Sequence, residues 1–205
     1  MNKMNKIKNI VFDLGGVLMN LDVPRTIKAF KNLGIENIVN ETGHNYQHSF
    51  FYEFEIGAIS ENTFLQNLSN LSKLKPNKIE IKNAWNEMIL DIPKNRIDFI
   101  KNLKPNYNLF LLSNTNSIHQ HKFTSEFEDN FEFSLNSLFK KAYYSHEVKI
   151  RKPDKEVFDL ILNDSKLKAE ETLFVDDSLP NIQSAKNTGI NTFHIQNYNL
   201  FNILK

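Results

Sequence analysis

The chain has 205 residues, of which 40% are hydrophobic and 24% charged, with a net charge of +1 and no cysteine. This composition is typical of a soluble globular protein, and the length allows one large domain or a core domain with a small insertion. A net charge near zero gives no broad field that would attract nucleic acid or a membrane surface. The lack of cysteine excludes disulfides and thiolate metal sites, which suits a cytoplasmic protein.

The first predicted strand covers residues 8–12, and Asp13, Gly15 and Gly16 follow it. An apolar strand that stops at an acid and then turns through glycines places a carboxylate at the C-terminal edge of a sheet. Ligands bind at that edge in open α/β folds. No apolar stretch approaches the roughly 20 residues of a membrane-spanning helix.

Residues 21–94 have helical patterning throughout, without the alternation of a strand. The predicted helices lie at 24–34, 44–54, 61–71 and after Pro76. Ser60 is placed to cap the third of them. Because a crossover between parallel strands needs only a dozen or more residues, this block is too long to be one. We predict an all-helical cap over 21–94, inserted into an α/β core formed by 1–20 and 95–205.

Strands and helices alternate in the remainder of the chain. Further strands are predicted at 108–112, 143–144, 173–176 and 192–195. The predicted helices lie at 93–103, 116–126, 135–139, 154–163 and 178–189. This alternation predicts a mostly parallel sheet with right-handed crossovers.

Polar residues follow two of these strands, as Asp13 follows the first. The second strand runs into Ser113, Asn114 and Thr115, and the fourth runs into Asp176 and Asp177. A Lys152-Pro153 pair lies between them in the chain. An acid, a hydroxyl, a lysine and paired acids suit metal-assisted phosphoryl transfer.

Four motifs resemble those of the haloacid dehalogenase (HAD) superfamily, in order and spacing, over nearly the whole chain. They are residues 12–18, residues 112–116, Lys152-Pro153, and residues 174–177 with Asn181. Residues 54–60, residues 113–116 and His119 further resemble a bacterial subgroup that includes phosphatases of glucose-1-phosphate. The resemblance implies a Rossmann-like α/β core with a helical cap.

The resemblance also implies the roles of the motif residues. Asp13 would be the nucleophile that forms an aspartyl-phosphate, with Ser113, Asn114 and Lys152 holding the phosphate. A Mg²⁺ ion would bind Asp13, the Gly15 carbonyl and Asp177, with Asp176 acting through water or orienting the site. The backbone N–H groups of Asn114 and Thr115 are expected to face the phosphate at the start of a helix.

Gly15 departs from the pattern of the family's phosphatases, which usually carry a second aspartate two residues after the nucleophile. That aspartate protonates the leaving oxygen, and its loss costs roughly 10²–10⁴ in rate if nothing replaces it. The resembling subgroup also has glycine there, so the change is compatible with activity.

Several other residues carry weaker expectations. His44 and His48 have the i, i+4 spacing of a helical metal pair, but ordinary packing in the cap is favoured. Tyr52 or His48 is a candidate to face the substrate. Ile56 stands where the subgroup often has arginine. The residues expected to serve structure are Trp85 and Met88 in the core, Arg151 on the surface and His119 near the second motif.

The sequence therefore predicts Mg²⁺-dependent hydrolysis of a small phosphate monoester, with a sugar phosphate favoured. One alternative is a carbon–halogen hydrolase, which lacks the second aspartate but does not need Asp176 and Asp177. Another is a non-enzymatic module that binds a phosphorylated ligand or a protein. The sequence names neither the substrate nor the oligomeric state.

Overall fold

A computed structural model describes residues 6–36, 38, 46–196 and 200–203. Five parallel strands form one sheet in the order β3-β2-β1-β4-β5. The strands are β1 (Asn9–Phe12), β2 (Asn108–Ser113), β3 (Lys141–Tyr144), β4 (Thr172–Asp176) and β5 (Asn191–His194). This confirms the predicted Rossmann-like α/β fold.

Strands β1 and β4 are buried along their whole length, as expected for strands covered on both faces by helices. Asn9 of β1 pairs with Asn108 on one side and with Thr172 on the other. Because the strands are parallel and in this order, the ends of β2, β1 and β4 lie side by side. The residues that follow these three strands therefore meet at one edge of the sheet.

Nine α-helices occur among the described residues. They are α1 (Val23–Asn32), α2 (Ser49–Glu55), α3 (Glu61–Leu71), α4 (Lys78–Asn86), α5 (Lys94–Leu103), α6 (Ser117–Phe131), α7 (Ser145–Val148), α8 (Lys155–Asp164) and α9 (Leu179–Asn187). Short 3₁₀ turns lie at Leu135–Leu138, Ala169–Glu171 and Leu200–Asn202. None of the described helices is long and apolar enough to cross a membrane.

Several helices differ from their predicted form. The predicted helix at 135–139 is a 3₁₀ turn, and α2 begins only at Ser49. Helix α6 extends five residues beyond the predicted end. Phe127 continues a buried stripe that begins at Ile118, and the helix stops only at the left-handed Glu132. The side chain of Ser178 does not cap α9. Its N–H instead donates to Asp176 Oδ1 at 2.7 Å. Helix α7 is absent from the sequence prediction, since its four residues are too few to show a period.

The chain enters and leaves the α1–α4 helices through paired segments. Leu21 bridges Ile89, and the Asn20 N–H donates to Asp91 O at 2.9 Å. The adjacent ends are what an insertion after β1 requires. The division into a core (1–20 and 95–205) and a helical cap (21–94) stays a prediction. The pairing of the segments around Leu21 and Ile89 supports it.

Candidate active site

A cleft of about 820 Å³ lies at the carboxyl edge of the sheet. Asp13, Gly15, Ser113, Lys152 and Asp177 line it on the sheet side. On the side of the α1–α4 helices it is lined by residues that include Asp22, Tyr46, Tyr52, Glu55 and Met88. The fold thus brings the predicted site residues together at one cavity, which is where such folds bind ligands.

Lys152 lies between two carboxylates at the bottom of this cleft, with only 1% of its side chain exposed. Its ammonium donates to Asp13 Oδ1 at 2.7 Å, Asp176 Oδ2 at 2.8 Å and the Leu112 carbonyl at 3.0 Å. The two carboxylates raise its pKa against the effect of burial, so the lysine is charged. A buried charge with all three donors satisfied is rigidly placed.

Asp176 is fully buried and its carboxylate is occupied by protein donors. Besides Lys152, the Asn181 side chain donates to both of its oxygens at 3.1 Å, and the Ser178 N–H donates to Oδ1. These contacts agree with an orienting role for Asp176. Asp177, in contrast, is exposed to the cleft.

Three carboxylates, those of Asp13, Asp176 and Asp177, each have an oxygen within 4.8 Å of the others. Burial raises the pKa of Asp13 to about 8; Lys152 opposes this rise, and the other two acids add to it. With Asp13 ionised, three carboxylates face one ammonium, which leaves excess negative charge. A hard divalent cation would offset it with its preferred oxygen ligands, so the donor set fits Mg²⁺.

Gly16 also lines the cleft, although the sequence indicates only that it belongs to the turn after β1. Its φ is +75°, and a Cβ built on it would lie 2.1 Å from Asp177 Oδ2. The glycine therefore allows both the turn after β1 and the close approach of Asp177. In the sequence, the two consecutive glycines after Asp13 are the feature that could have indicated this role.

The segment after β2 is arranged differently from the prediction. The Asn114 side chain accepts from the Lys152 N–H at 2.9 Å and donates to its carbonyl at 2.8 Å, which fixes the backbone of the lysine. The Thr115 N–H donates to Ser145 Oγ at 2.9 Å and so is not directed to a phosphate. Helix α6 begins only at Ser117. Ser113 lines the cleft as expected.

Neither His119 nor His48 is placed to act as an acid in the cleft. Both ring nitrogens of His119 are used, Nδ1 with Asn116 Nδ2 at 3.2 Å and Nε2 with the Trp85 carbonyl at 3.0 Å. Burial lowers the pKa of His119 to about 4, so it is neutral. His48 stacks on Phe50 and is not among the described residues that line the cleft. His44 lies outside the described residues.

Arg151 was expected on the surface, and this was wrong. Its side chain is 17% exposed and lines the cleft, with Nε 3.0 Å from Glu55 Oε2. Its guanidinium lies over the Tyr52 ring at 4.7 Å, and Tyr46 donates to Glu55 Oε1 at 3.4 Å. The available signal was Glu55 itself, which follows Phe51 at the i, i+4 spacing of a buried helix face.

Comparison with known proteins assigns the family. Residues 7–189 match the family of haloacid dehalogenase-like hydrolases. Over 196 residues the chain is 35% identical to D-ribitol-5-phosphate phosphatase of Bacteroides thetaiotaomicron, covering 93% of each protein. The chain therefore belongs to the haloacid dehalogenase-like hydrolases, and within them it is an enzyme of the phosphatase type.

Solved structures agree with this assignment. A HAD family enzyme of Bacteroides thetaiotaomicron, in complex with magnesium and inorganic phosphate, superposes with a TM-score of 0.85 at 35% identity, covering 93% of this chain and 94% of that one. A predicted HAD-like hydrolase of Porphyromonas gingivalis superposes with a TM-score of 0.85 at 34% identity, covering 94% and 92%.

Proposed function

We propose that the chain hydrolyses a phosphate monoester of a small sugar or polyol, with Mg²⁺, through a phosphorylated Asp13. The observation that carries this proposal is the cluster of three carboxylates within 4.8 Å of one another, beside a buried lysine and open to the cleft. The relative that acts on D-ribitol-5-phosphate and the solved structure with magnesium and phosphate support the ligand class.

The metal would be held by Asp13, Asp177 and the Gly15 carbonyl, with Asp176 holding Lys152. When bound, it would offset the charge that otherwise repels the phosphate dianion from Asp13. The fit rests on the excess of negative charge among the carboxylates. Asp176 is fully buried, so Asp13 and Asp177 are the carboxylates of this cluster that line the cleft.

The covalent step follows from the placement of Asp13. Its Oδ1 is held by Lys152, which leaves Oδ2 to attack phosphorus as the bond from phosphorus to the leaving oxygen breaks. Water then attacks the phosphorus of the aspartyl-phosphate, releasing phosphate and restoring the carboxylate. The Ser113 hydroxyl and the Lys152 ammonium would stabilise the charge on the transferring group.

The leaving oxygen needs a proton that Gly15 does not supply. A polyol phosphate is a primary alkyl ester with a basic leaving oxygen, so its cleavage would depend on another donor in the cleft. The Tyr46 hydroxyl already donates to Glu55 Oε1 at 3.4 Å, and burial raises its pKa. Tyr52 also lines the cleft and is the candidate. His119, with both nitrogens engaged, is not.

The proposal is tested by turnover of p-nitrophenyl phosphate and of a panel of sugar and polyol phosphates, with Mg²⁺ and with EDTA. We expect turnover that EDTA abolishes and that Asp13→Asn eliminates. Asp159→Asn, which changes an exposed acid paired with Lys155, is the matched control and should keep full activity. Metal-independent turnover of a haloalkanoate would favour the dehalogenase instead. Phosphate binding without turnover would favour a binding module.

The cytoplasmic location expected from the sequence stays a prediction.

A further inference from the structure

The ion pair of Glu55 and Arg151 has a feature that the catalytic residues do not explain. Both side chains are largely buried, at 11% and 17% exposed, and both line the cleft. Glu55 Oε2 and Arg151 Nε approach to 3.0 Å, yet neither atom has the alignment of a hydrogen bond. Buried polar atoms without a hydrogen bond are costly and are rare in folded proteins.

The pair is also fixed in place from both sides. The Ser145 hydroxyl, donating at 2.6 Å to the Glu55 carbonyl, ties the end of α2 to the core. Arg151 directly precedes Lys152, whose backbone is held by Asn114. Tyr52 lies against the guanidinium face. A pair held in this way forms a preformed binding site and does not need to rearrange around a ligand.

The charges of the cleft decide what this pair can recognise. Among the described residues that line the cleft, Arg151 and Lys152 are the only cations. Each has a carboxylate partner, Lys152 with Asp13 and Asp176, and Arg151 with Glu55. The undescribed residues 37 and 39–45 include no lysine or arginine. No described cation is therefore left to compensate a second anionic group on a substrate.

We propose that Glu55 and Arg151 together bind the hydroxyl groups of the leaving group and exclude phosphate esters that carry a second negative charge. This inference rests on the proposed phosphatase function. A hydroxyl can donate to the Glu55 carboxylate and accept from a terminal N–H of Arg151, so it satisfies both partners. A carboxylate or a second phosphate cannot donate, and Glu55 repels it.

The test compares two substrates that differ only at the end far from the phosphate: D-ribitol 5-phosphate, with CH₂OH, and 5-phospho-D-ribonate, with a carboxylate. We expect the wild type to have the higher kcat/KM for the ribitol ester. Glu55→Gln leaves Arg151 uncompensated, so the preference should shift toward the ribonate ester by about tenfold or more, as expected for one charge near another in a partly buried cleft.

Two further variants separate recognition from folding. Arg151→Gln should lower kcat/KM for both esters and should not shift the preference toward the ribonate ester. Glu171→Gln, which changes an ion pair with Lys8 outside the cleft, is the matched control and should leave the preference unchanged. If Glu55→Gln fails to fold, Glu55→Ala with Arg151→Ala provides the comparison: loss of the wild-type preference supports the proposal and its retention opposes it.

The outcomes distinguish this inference from the proposed function. If the wild type does not hydrolyse p-nitrophenyl phosphate with Mg²⁺, the proposed function fails and this inference fails with it. If it does, and the two esters give the same preference in wild type and Glu55→Gln, only the present inference is overturned. Where neither ester is turned over, the same preference is measured from their competitive inhibition of p-nitrophenyl phosphate hydrolysis.

Discussion

Asp176 and Asp177 are adjacent in the chain but have opposite environments, which predicts different effects of the same substitution. Asp177→Asn should raise the Mg²⁺ concentration for half activity at least tenfold with little change in stability, because the side chain is exposed. Asp176→Asn should lower the free energy of unfolding by about 3 kcal/mol, because it removes one carboxylate partner of a buried lysine. Metal titration and urea unfolding measure the two effects. Equal effects of the two variants on the Mg²⁺ requirement would contradict the assigned roles.

Gly15 provides a second prediction at this scale. A Cβ at position 15 would meet the Leu21 side chain, with Cδ1 nearest at 2.7 Å, and Leu21 is 37% exposed and able to move. Gly15→Asp should therefore fold and supply a proton to the leaving oxygen. We expect it to raise kcat for alkyl phosphates more than for p-nitrophenyl phosphate, whose leaving group needs no proton. Gly15→Asn, which cannot donate from a carboxyl group, is the control. An equal gain with both variants would show that acid catalysis is not the cause.

The strand-end residues could be predicted from the sequence because each follows an apolar run directly. Asp13, Ser113 and Asp176 follow such a run, whereas the role of Asp177, one residue later, was predicted from the family resemblance. The roles of Arg151 and of the Thr115 N–H could not be predicted, because they depend on contacts with Glu55 and Ser145. These partners lie 96 and 30 residues away in the chain, and no local pattern links them.

At the scale of elements, the turn after β1 depends on Gly16. Gly16→Ala forces a side chain into a left-handed conformation and onto Asp177, 2.1 Å from its Oδ2. We expect a loss of about 1–2 kcal/mol in unfolding free energy and a higher Mg²⁺ requirement. Gly189→Ala has a similar φ of +84°, and its Cβ would make only an ordinary contact with Ala169 Cβ at 3.6 Å, so it should lose stability alone. An unchanged Mg²⁺ requirement in Gly16→Ala would separate the turn from metal binding.

His119 joins helix α6 to the end of α4 through its contact with the Trp85 carbonyl, and its lowered pKa predicts that stability depends on pH. The pKa of His119 is lowered by burial to about 4 in the folded protein, against 6.5 for an ordinary histidine. The unfolded chain therefore binds a proton first as the pH falls. The stability advantage of the wild type over His119→Gln should shrink between pH 6.5 and 4, by up to about 3 kcal/mol.

Urea unfolding at a series of pH values measures this difference. Ser125→Ala, at an exposed position of the same helix without a titratable side chain, is the control and should show no such trend. A constant difference between the wild type and His119→Gln would show that His119 does not stay neutral on folding.

Elements with a clear sequence pattern could be predicted. Helices α3 and α8 have a regular spacing of apolar residues, and the buried strands are apolar runs. The order of the strands could not be predicted, because nothing in the sequence of either segment indicates that Asn9 pairs with Thr172. The start of α2 at Ser49 was also missed, because His48 is extended and caps it without a side-chain hydrogen bond.

For the whole molecule, a buried cluster shared by the sheet and the α1–α4 helices predicts cooperative unfolding. The buried cluster that contains Phe12 and Leu14 of the sheet side also contains Phe64 and Trp85 of the α1–α4 helices. Trp85 is the only tryptophan, so its fluorescence reports on those helices, whereas far-UV circular dichroism reports on the entire chain. We expect the two signals to give coincident urea transitions. A fluorescence transition at lower urea would show that the helices of the predicted cap unfold separately.

The central position of β1 has a consequence for synthesis on the ribosome. Asn9 emerges early, but its partner on one side, Thr172, is among the later residues to be made. Until then the apolar edge of β1 has no neighbour on that side and can pair with other chains. A nascent chain that ends before Thr172 would bind chaperones through this exposed edge. It would also have no activity, because Asp176 and Asp177 are not yet present.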